Sequence, residues 1–254
     1  MLEKSSVKIL LLFSYIFAIY FTGCLIFTKG FLLKRNVIAV NSSCTVDFAR
    51  AAEETKHGSE GCWLHRRFDK AIIIVIDALR FDFIAPLHSS NKIYANNLKH
   101  VHKLLKEKPQ NAQLYRFTAD PPTTTLQRLK GLTTGSLPTF VDAGSNFAST
   151  EITEDNFIDQ LLKNGRQLSF LGDDTWMNLF PTQFERSLPF PSFNVKDLHT
   201  VDNGILQNIY GELKRKDYHV LIAHFLGVDH CGHRFGPNHP AMAEKLSQMD
   251  EVIR

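Results

Sequence analysis

Three apolar runs in this sequence are each followed by an aspartate, and this repetition constrains the fold more than any other feature. The runs lie at residues 71–76, 168–171 and 220–226, and the aspartates that follow them include Asp77, Asp173 and Asp229. Continuous apolar runs rich in β-branched residues are typical of strands that are buried on both faces of a parallel sheet. Because ligands bind beyond the carboxyl ends of such strands, the aspartates are expected to meet at one edge of one sheet.

Helical periodicity alternates with these runs along the chain. Helices are predicted over residues 96–107, 156–164 and 204–214, with further helices beginning near Thr125 and at Pro240. This alternation indicates βαβ units, so the predicted fold class is α/β, with a mainly parallel sheet and flanking helices. The segment 180–195 contains three prolines and is predicted to be a long loop near the functional site.

The N-terminal segment predicts a membrane anchor, because residues 9–28 carry no charged side chain. A helix of this length rises ~30 Å, which matches the hydrocarbon thickness of a bilayer. A cleaved signal peptide is the alternative, but its apolar core is usually ~7–15 residues long and ends at a small-x-small site. The expected organisation is a cytosolic tip and transmembrane signal-anchor at 1–29, a stalk at 30–67 and a catalytic domain at 68–254.

Sequence features disagree about the side of the membrane on which the domain lies. More positive residues follow the apolar span than precede it, which by the positive-inside rule would place the domain in the cytosol. Against this, Asn41 begins an N-glycosylation acceptor pattern, and Cys44 and Cys62 bracket a polar insert and could form a disulfide in an oxidising compartment. The interpretation adopted is a lumenal domain.

Asp229 and His233 lie four residues apart, directly after the third apolar run. Carboxylates and imidazoles are ligands of zinc, and their position beyond a strand end favours a cationic centre. The simpler alternative is a polar turn whose side chains only cap the local backbone. The net charge is +3 with both signs interspersed, so the sequence does not indicate nucleic acid as a partner.

A candidate nucleophile follows the two prolines Pro121 and Pro122, where three consecutive threonines precede leucines at helical spacing. The threonines are Thr123–Thr125, and they should lie at the N-terminus of a helix. Unpaired N–H groups and the helix dipole stabilise an anion there, and a threonine hydroxyl bound to a divalent cation can attack phosphorus. Ordinary N-capping by threonine is the alternative.

Five motifs in one order carry a family resemblance. They are Ile76–Asp82, Pro122–Gly135, Gly144–Phe147, Gly172–Trp176 and Gly227–Pro240. Together they resemble the GPI ethanolamine phosphate transferases of the alkaline phosphatase superfamily, in particular those that act on the third mannose. The resemblance implies an alkaline-phosphatase-like catalytic domain and extends from the N-terminal span to Arg254.

The resemblance implies a role for each candidate site residue. Asp77 and the nucleophile Thr125 would ligate one of two zinc ions. Asp229 and His233 would ligate the other. Asn146 would donate a hydrogen bond to the phosphoryl oxygen. His224 and His230 are expected to be structural or to support these ligands.

The resemblance also implies the reaction and its setting. Phosphoethanolamine would pass from phosphatidylethanolamine to Thr125 and then to a mannose 6-hydroxyl of the GPI precursor. The enzyme would be embedded in the endoplasmic reticulum membrane with its catalytic domain in the lumen, and a stabilising membrane subunit is left open. A phosphodiesterase of the same fold, with water as acceptor, is the first alternative. A sulfatase is disfavoured, since the Cys-x-Pro-x-Arg pattern is absent.

Two further expectations follow from the family pattern. The superfamily implies additional ligands from a later Gly-Asp-His segment and one more histidine, which do not follow in this sequence. The chain is therefore expected to be the N-terminal part of a catalytic domain with little or no activity alone, and a membrane-tethered, non-catalytic fragment is the second alternative. Asp173 or Asp174 would hold the ethanolamine ammonium, unless the pair only forms a turn.

Overall fold

The computed structural model describes residues 2–31, 39–42, 68–87, 90–137 and 151–254. The chain divides into two compact units, the first made of Met1–Val37 with Ala119–Ala148 and the second of Ile38–Thr118 with Ser149–Arg254. The candidate residues Cys44, Cys62 and Asn146 lie outside the described residues.

Strands and helices alternate in the described part of the chain, as the sequence pattern predicted. The helices are α1 (Leu2–Gly30), α2 (Phe81–Ile84), α3 (Lys99–Glu107), α4 (Thr125–Thr134), α5 (Phe157–Lys163), α6 (Thr175–Leu179), α7 (Thr200–Lys214), α8 (Gly227–Phe235) and α9 (Pro240–Ile253). The strands are β1 (Ala71–Ile76), β2 (Leu168–Asp173), β3 (Arg186–Phe190) and β4 (Val220–Phe225).

The first unit contains α1 and α4. Residues Ser6–Gly30 of α1 are long and apolar enough to cross a membrane. Helix α4 begins at Thr125, so the helix start predicted for the threonine cluster is confirmed. Thr124 precedes it in an extended conformation and its side chain makes no capping hydrogen bond. The helix ends at Gly135, whose φ of 71° lies in the left-handed region that favours glycine.

The second unit is built on a four-stranded sheet in the order β1-β4-β2-β3. All three strand pairings are parallel, which confirms the predicted parallel α/β architecture. The register aligns Ile76 with Phe225 and Gly172 with His224, so the carboxyl ends of β1, β2 and β4 reach the same edge. This edge is where the sequence placed the candidate ligands.

Gly172 allows β2 and β4 to approach each other at this edge. Its φ is 132°, which side-chain-bearing residues rarely adopt. A Cβ atom at Gly172 would lie 2.3 Å from the backbone oxygen of His224. The glycine between the apolar run and Asp173 is therefore required for the close pairing that holds Asp173 beside β4.

The segment 180–195 is not a continuous loop, and that sequence prediction is wrong in part. Arg186–Phe190 forms the edge strand β3, which pairs in parallel with β2. The strand was missed because it is short, half exposed and contains Pro189. Proline lacks the N–H that a central strand would donate, and an edge strand tolerates this loss.

The core of the second unit packs helices α7, α8 and α9 and part of α3 with the sheet. Its fully buried members include Leu221, Phe225, Ile205, Leu246 and Met249. Each of the helices α7 and α9 presents one apolar face to the core, because its buried apolar residues recur every three or four positions. These residues are Val201, Ile205 and Ile209 on α7, and Met242, Leu246 and Met249 on α9.

Asp250 of α9 caps the N-terminus of α3 from a distance of about 150 residues in sequence. Its carboxylate accepts hydrogen bonds from the backbone N–H groups of His100 and Val101, at 2.8–3.1 Å. The preceding residue, Leu98, cannot supply a side-chain cap. Replacing Asp250 by alanine should therefore lower the free energy of unfolding by about 2 kcal/mol, measured by chemical denaturation.

The matched control for this prediction lies on the same helix. Glu251 forms an exposed ion pair with Arg254, and such pairs contribute about 0–1 kcal/mol. Replacing Glu251 by alanine should leave stability nearly unchanged. Equal losses in the two variants would contradict the capping role of Asp250.

Candidate metal centre

The strand ends bring together three potential ligands from β1, β2 and β4. One ligand atom from each of Asp77, Asp173 and His224 lies within 4.8 Å of the others. Asp77 follows β1 directly, and its backbone N–H donates to the Phe225 oxygen of β4 at 3.0 Å. The predicted convergence of carboxylates at one edge of the sheet is therefore observed for Asp77 and Asp173.

The helix that follows β4 adds two more candidate ligands. Helix α8 begins at Gly227 and carries Asp229 and His233 one turn apart, with 3.5 Å between His233 Nε2 and Asp229 Oδ2. His233 is exposed and Asp229 is half-buried. Their spacing of four residues places both on one face of the helix.

Burial and neighbouring charges shift the pKa of the Asp229 carboxyl. Burial raises the pKa of the Asp229 carboxyl above its ordinary value, and the negative charge of Asp77 raises it further. The neighbouring histidines, His233 first, oppose this shift. The negative charges of Asp77 and Asp229 repel each other, and His233 offsets this repulsion only in part. Carboxylates and imidazoles are also ligands of zinc, so this set of side chains suits a divalent cation. The residues present therefore fit a metal ion.

Replacing Asp229 by asparagine should raise the melting temperature of the protein in a chelator at neutral pH. The change removes a partly buried charge and its repulsion from Asp77. Because folding raises the pKa of Asp229, the wild-type carboxyl contributes most to stability below its unfolded pKa of about 3.9, and this contribution is lost as pH rises through the folded pKa. The gap between the two melting temperatures should widen as pH rises.

Asp217 provides a control of opposite sign. Its hydrogen bond to Arg215 lowers the pKa of the Asp217 carboxyl, so Asp217→Asn should give no gain in melting temperature as pH rises. Saturating zinc should reverse the order for Asp229, since a ligand that binds only the folded state stabilises the wild type. If D229N in a chelator melted no higher than the wild type at any pH, the proposed repulsion between Asp229 and Asp77 would be contradicted.

A buried ion pair fixes the start of α8 and so the placement of its ligands. Oδ1 of Asp202 accepts the backbone N–H groups of Leu226 and Gly227, both at 3.0 Å. Its Oδ2 accepts from Lys245 Nζ, also at 3.0 Å. A Cβ atom at Gly227 would lie 2.1 Å from Asp202 Oδ2. Glycine is therefore required where the chain turns from β4 into α8.

The structure describes the positions of some of the predicted site residues relative to one another, but not of all of them. Asp77 lies with Asp173 and His224 at the strand ends, and His233 lies beside Asp229 on α8. Thr125 belongs to the first unit, and Asn146 lies outside the described residues. Their approach to the carboxylates stays a prediction.

Asp173 and Asp174 both make local contacts. Asp173 Oδ1 accepts the Thr175 N–H at 2.8 Å, and Asp174 Oδ1 accepts from Ser192 Oγ at 2.6 Å. The first contact is the turn geometry that the sequence allowed for. Binding of an ammonium group by either residue stays a prediction.

His224 lies at the centre of the site, although sequence reasoning named it only as structural or supporting. Its imidazole lies between Asp77 and Asp173, at 3.7 Å from a carboxylate oxygen of each. The available signal was a histidine inside an otherwise apolar strand. His230 is buried with its Nδ1 2.6 Å from the Asp197 carbonyl oxygen, a contact that fits the expected structural or supporting role.

The family of the chain follows from comparison with known proteins. Residues 90–254 match the family model described as type I phosphodiesterase / nucleotide pyrophosphatase. The chain belongs to this family of phosphodiesterase-like proteins.

Relatives with higher identity narrow the comparison. The chain is 50% identical to the human GPI ethanolamine phosphate transferase 3, catalytic subunit, in an alignment of 264 positions that covers 100% of this chain and 24% of that protein. It is 45% identical to GPI ethanolamine phosphate transferase 3 of Saccharomyces cerevisiae in an alignment of 258 positions that covers 99% of this chain and 24% of that protein. The resemblance found in the motifs is confirmed, and the chain spans about a quarter of the length of these relatives.

A solved structure supports the fold. The C-terminal periplasmic domain of EcEptC from Escherichia coli, in complex with Zn, superposes with a TM-score of 0.50 at 12% identity, covering 74% of this chain and 58% of that one. At this identity the likeness concerns the fold alone.

Proposed function

We propose that this chain carries part of the metal centre of a phosphoethanolamine transferase of GPI-anchor biosynthesis. The observation that carries the proposal is the convergence of Asp77, Asp173 and His224 at the carboxyl edge of a parallel sheet, together with the pair Asp229 and His233 on the helix that follows β4. The names of the 45–50% identical relatives supply the substrate class. The zinc complex of the bacterial domain, which shares the fold, suggests the metal.

In this proposal Asp77 and Thr125 hold one zinc ion, and Asp229 and His233 hold the other. Bound zinc would supply positive charge that lowers the pKa of a hydroxyl and neutralises charge on phosphoryl oxygens. Thr125 lies at the N-terminus of α4, and the dipole of a helix favours an anion at that end. Asn146 would donate a hydrogen bond to a phosphoryl oxygen.

The reaction takes place in two displacements at phosphorus. The Thr125 oxygen attacks the phosphorus of phosphatidylethanolamine, the bond to the glycerol oxygen breaks, and diacylglycerol leaves with a proton. The mannose 6-hydroxyl of a GPI precursor then attacks the threonyl-phosphoethanolamine, gives up its proton and releases the Thr125 oxygen. No atom is oxidised or reduced. A carboxylate of Asp173 or Asp174 would hold the ammonium group of the donor.

The setting of the proposed reaction is the endoplasmic reticulum membrane. Helix α1 has the length and apolar composition to anchor the protein there. The substrates are a lipid donor and a glycolipid acceptor, and the lumenal side is favoured by the acceptor pattern at Asn41 and by the cysteines outside the described residues. A membrane subunit that stabilises the protein is part of this proposal.

The test is transfer from a labelled lipid. Membranes that contain the native protein are incubated with phosphatidylethanolamine labelled in its ethanolamine. The expected result is labelled GPI glycolipid, lost on chelation, restored by zinc and absent in Asp229→Ala. A matched control is Glu251→Ala, whose carboxylate is exposed on α9. Free labelled phosphoethanolamine without labelled glycolipid would replace the proposal by hydrolysis, the activity that the phosphodiesterase family name suggests.

A further inference from the structure

His224 is the most buried polar group at the metal centre, with 1% of its surface exposed. Its Nδ1 lies 3.0 Å from the indole Nε1 of Trp176. An indole N–H only donates, so Nδ1 must accept with its lone pair. A proton on Nδ1 would face the indole proton across 3.0 Å, so this contact disfavours the Nδ1–H tautomer. The contact therefore selects the tautomer that carries its proton on Nε2.

The Nε2–H group points toward the metal centre. It lies 3.7 Å from Oδ2 of Asp77, and among the described residues it makes no hydrogen bond. Buried donors without a partner are rare in folded proteins and cost about 1–3 kcal/mol. Asp77 Oδ1 accepts the Ala78 N–H at 2.8 Å, so Oδ2 is the oxygen turned toward His224. A shift of less than ~1 Å would bring the donor to normal hydrogen-bond distance.

We propose that His224 is a positioning residue, which donates its Nε2–H to Asp77 and is not a metal ligand, and that Trp176 fixes this tautomer. The inference rests on the proposed function, because it assigns Asp77 as the ligand that His224 supports. Metal-binding carboxylates are commonly held by such hydrogen bonds. Since Nε2 carries a proton and the Nδ1 lone pair faces Trp176, neither nitrogen of His224 can bind a cation.

The opposite arrangement would make His224 a ligand. With the proton on Nδ1, that nitrogen could donate to Asp173 Oδ2, which lies 3.7 Å away, and Nε2 could bind a cation together with Asp77. The indole of Trp176 decides against this state. Its ring is fully buried and packs against Phe170, Phe180 and Phe184, with centroids 5.4–6.2 Å apart. The donor that selects the tautomer is therefore fixed in place by packing.

The first experiment reads the tautomer and needs neither activity nor metal. The full chain is labelled with ¹⁵N-histidine, and the ring nitrogens are observed by NMR in detergent at neutral pH in a chelator. The signals of His224 are assigned by their absence from the spectrum of the His224→Gln variant. We expect a protonated Nε2 and an unprotonated Nδ1. In Trp176→Phe, which removes only the indole N–H donor and some ring area, the proton should move to Nδ1, where Asp173 accepts it.

Phe184→Leu is the matched control for packing, because it trims the same aromatic cluster and leaves the indole N–H in place. Its His224 tautomer should be that of the wild type. A protonated Nδ1 in the wild-type chain, or no change in Trp176→Phe, would overturn the proposal whatever the enzyme does. The wild-type spectrum alone shows which ring nitrogen of His224 carries the proton, even if a variant fails to fold.

The second experiment separates a donor from a ligand by zinc affinity. Glutamine places an N–H₂ group near the position of Nε2, so His224→Gln should keep the zinc dissociation constant within a few-fold of wild type. His224→Leu cannot donate and should weaken zinc binding by about 10–100-fold. Equal losses in the two variants would show that His224 is a ligand and overturn the proposal. Unchanged affinity in His224→Leu would also overturn it.

Discussion

Replacing Thr125 by alanine should abolish phosphoethanolamine transfer, with a loss of at least ~10³-fold in the rate constant for transfer. Thr125 is the first residue of α4, where the helix dipole favours an anion. Alanine keeps the helix but removes the oxygen that forms the proposed covalent intermediate. The measurement is the initial rate of label transfer from phosphatidylethanolamine to glycolipid, with mass spectrometry of the peptide that contains Thr125.

The chain offers three adjacent threonines as internal controls. Thr125→Ser keeps a hydroxyl and should retain measurable transfer and a phosphoethanolamine adduct. Thr123→Ala and Thr124→Ala should retain most activity, because these residues lie before the helix begins. Loss of transfer in Thr124→Ala together with full activity in Thr125→Ala would assign the nucleophile to the neighbouring hydroxyl.

Replacing Lys245 by methionine should lower the free energy of unfolding by about 3–5 kcal/mol. Lys245 and Asp202 are 3% and 1% exposed, and the substitution would leave the Asp202 carboxylate buried without its cation. Oδ1 of Asp202 also holds the N–H groups of Leu226 and Gly227, so its movement would displace the start of α8. Urea denaturation in a chelator measures the loss directly.

Two further variants test the physical reason for this loss. Lys103 forms an exposed ion pair with Glu107 at 4.0 Å, and Lys103→Met should change stability by less than about 1 kcal/mol. Adding Asp202→Asn to Lys245→Met should restore part of the stability, because it removes the uncompensated charge. If the double variant were less stable than Lys245→Met alone, the buried charge of Asp202 could not be the main cause of the loss in Lys245→Met.

The strands and their terminal aspartates could be predicted from sequence because that information is local. An apolar β-branched run reads as a buried parallel strand, and the residue that follows it must lie at the sheet edge. Asp77 and Asp229 were found in this way. The spacing of Asp229 and His233 needed only the periodicity of a helix.

The remaining features depend on contacts between distant segments. Asp202 and Asp250 look like ordinary polar residues of helices, yet each caps another helix through the folded core. Trp176 reaches His224 only after β2 and β4 pair, so the tautomer that it selects cannot be read from either motif. Strand β3 was missed because its edge position relaxes the pattern that identifies buried strands.

The most direct test of the central claim is the position of zinc in a crystal of the zinc-loaded protein, located by anomalous diffraction at the zinc edge. Ligand bonds to zinc are ~2.0–2.2 Å long for carboxylate oxygen and imidazole nitrogen. The account predicts zinc within this distance of Asp77, and of Asp229 and His233, with His224 Nε2 hydrogen-bonded to Asp77 and outside bonding distance of the metal. Zinc bound elsewhere, with Asp77 and Asp229 both lacking a cation, would contradict it.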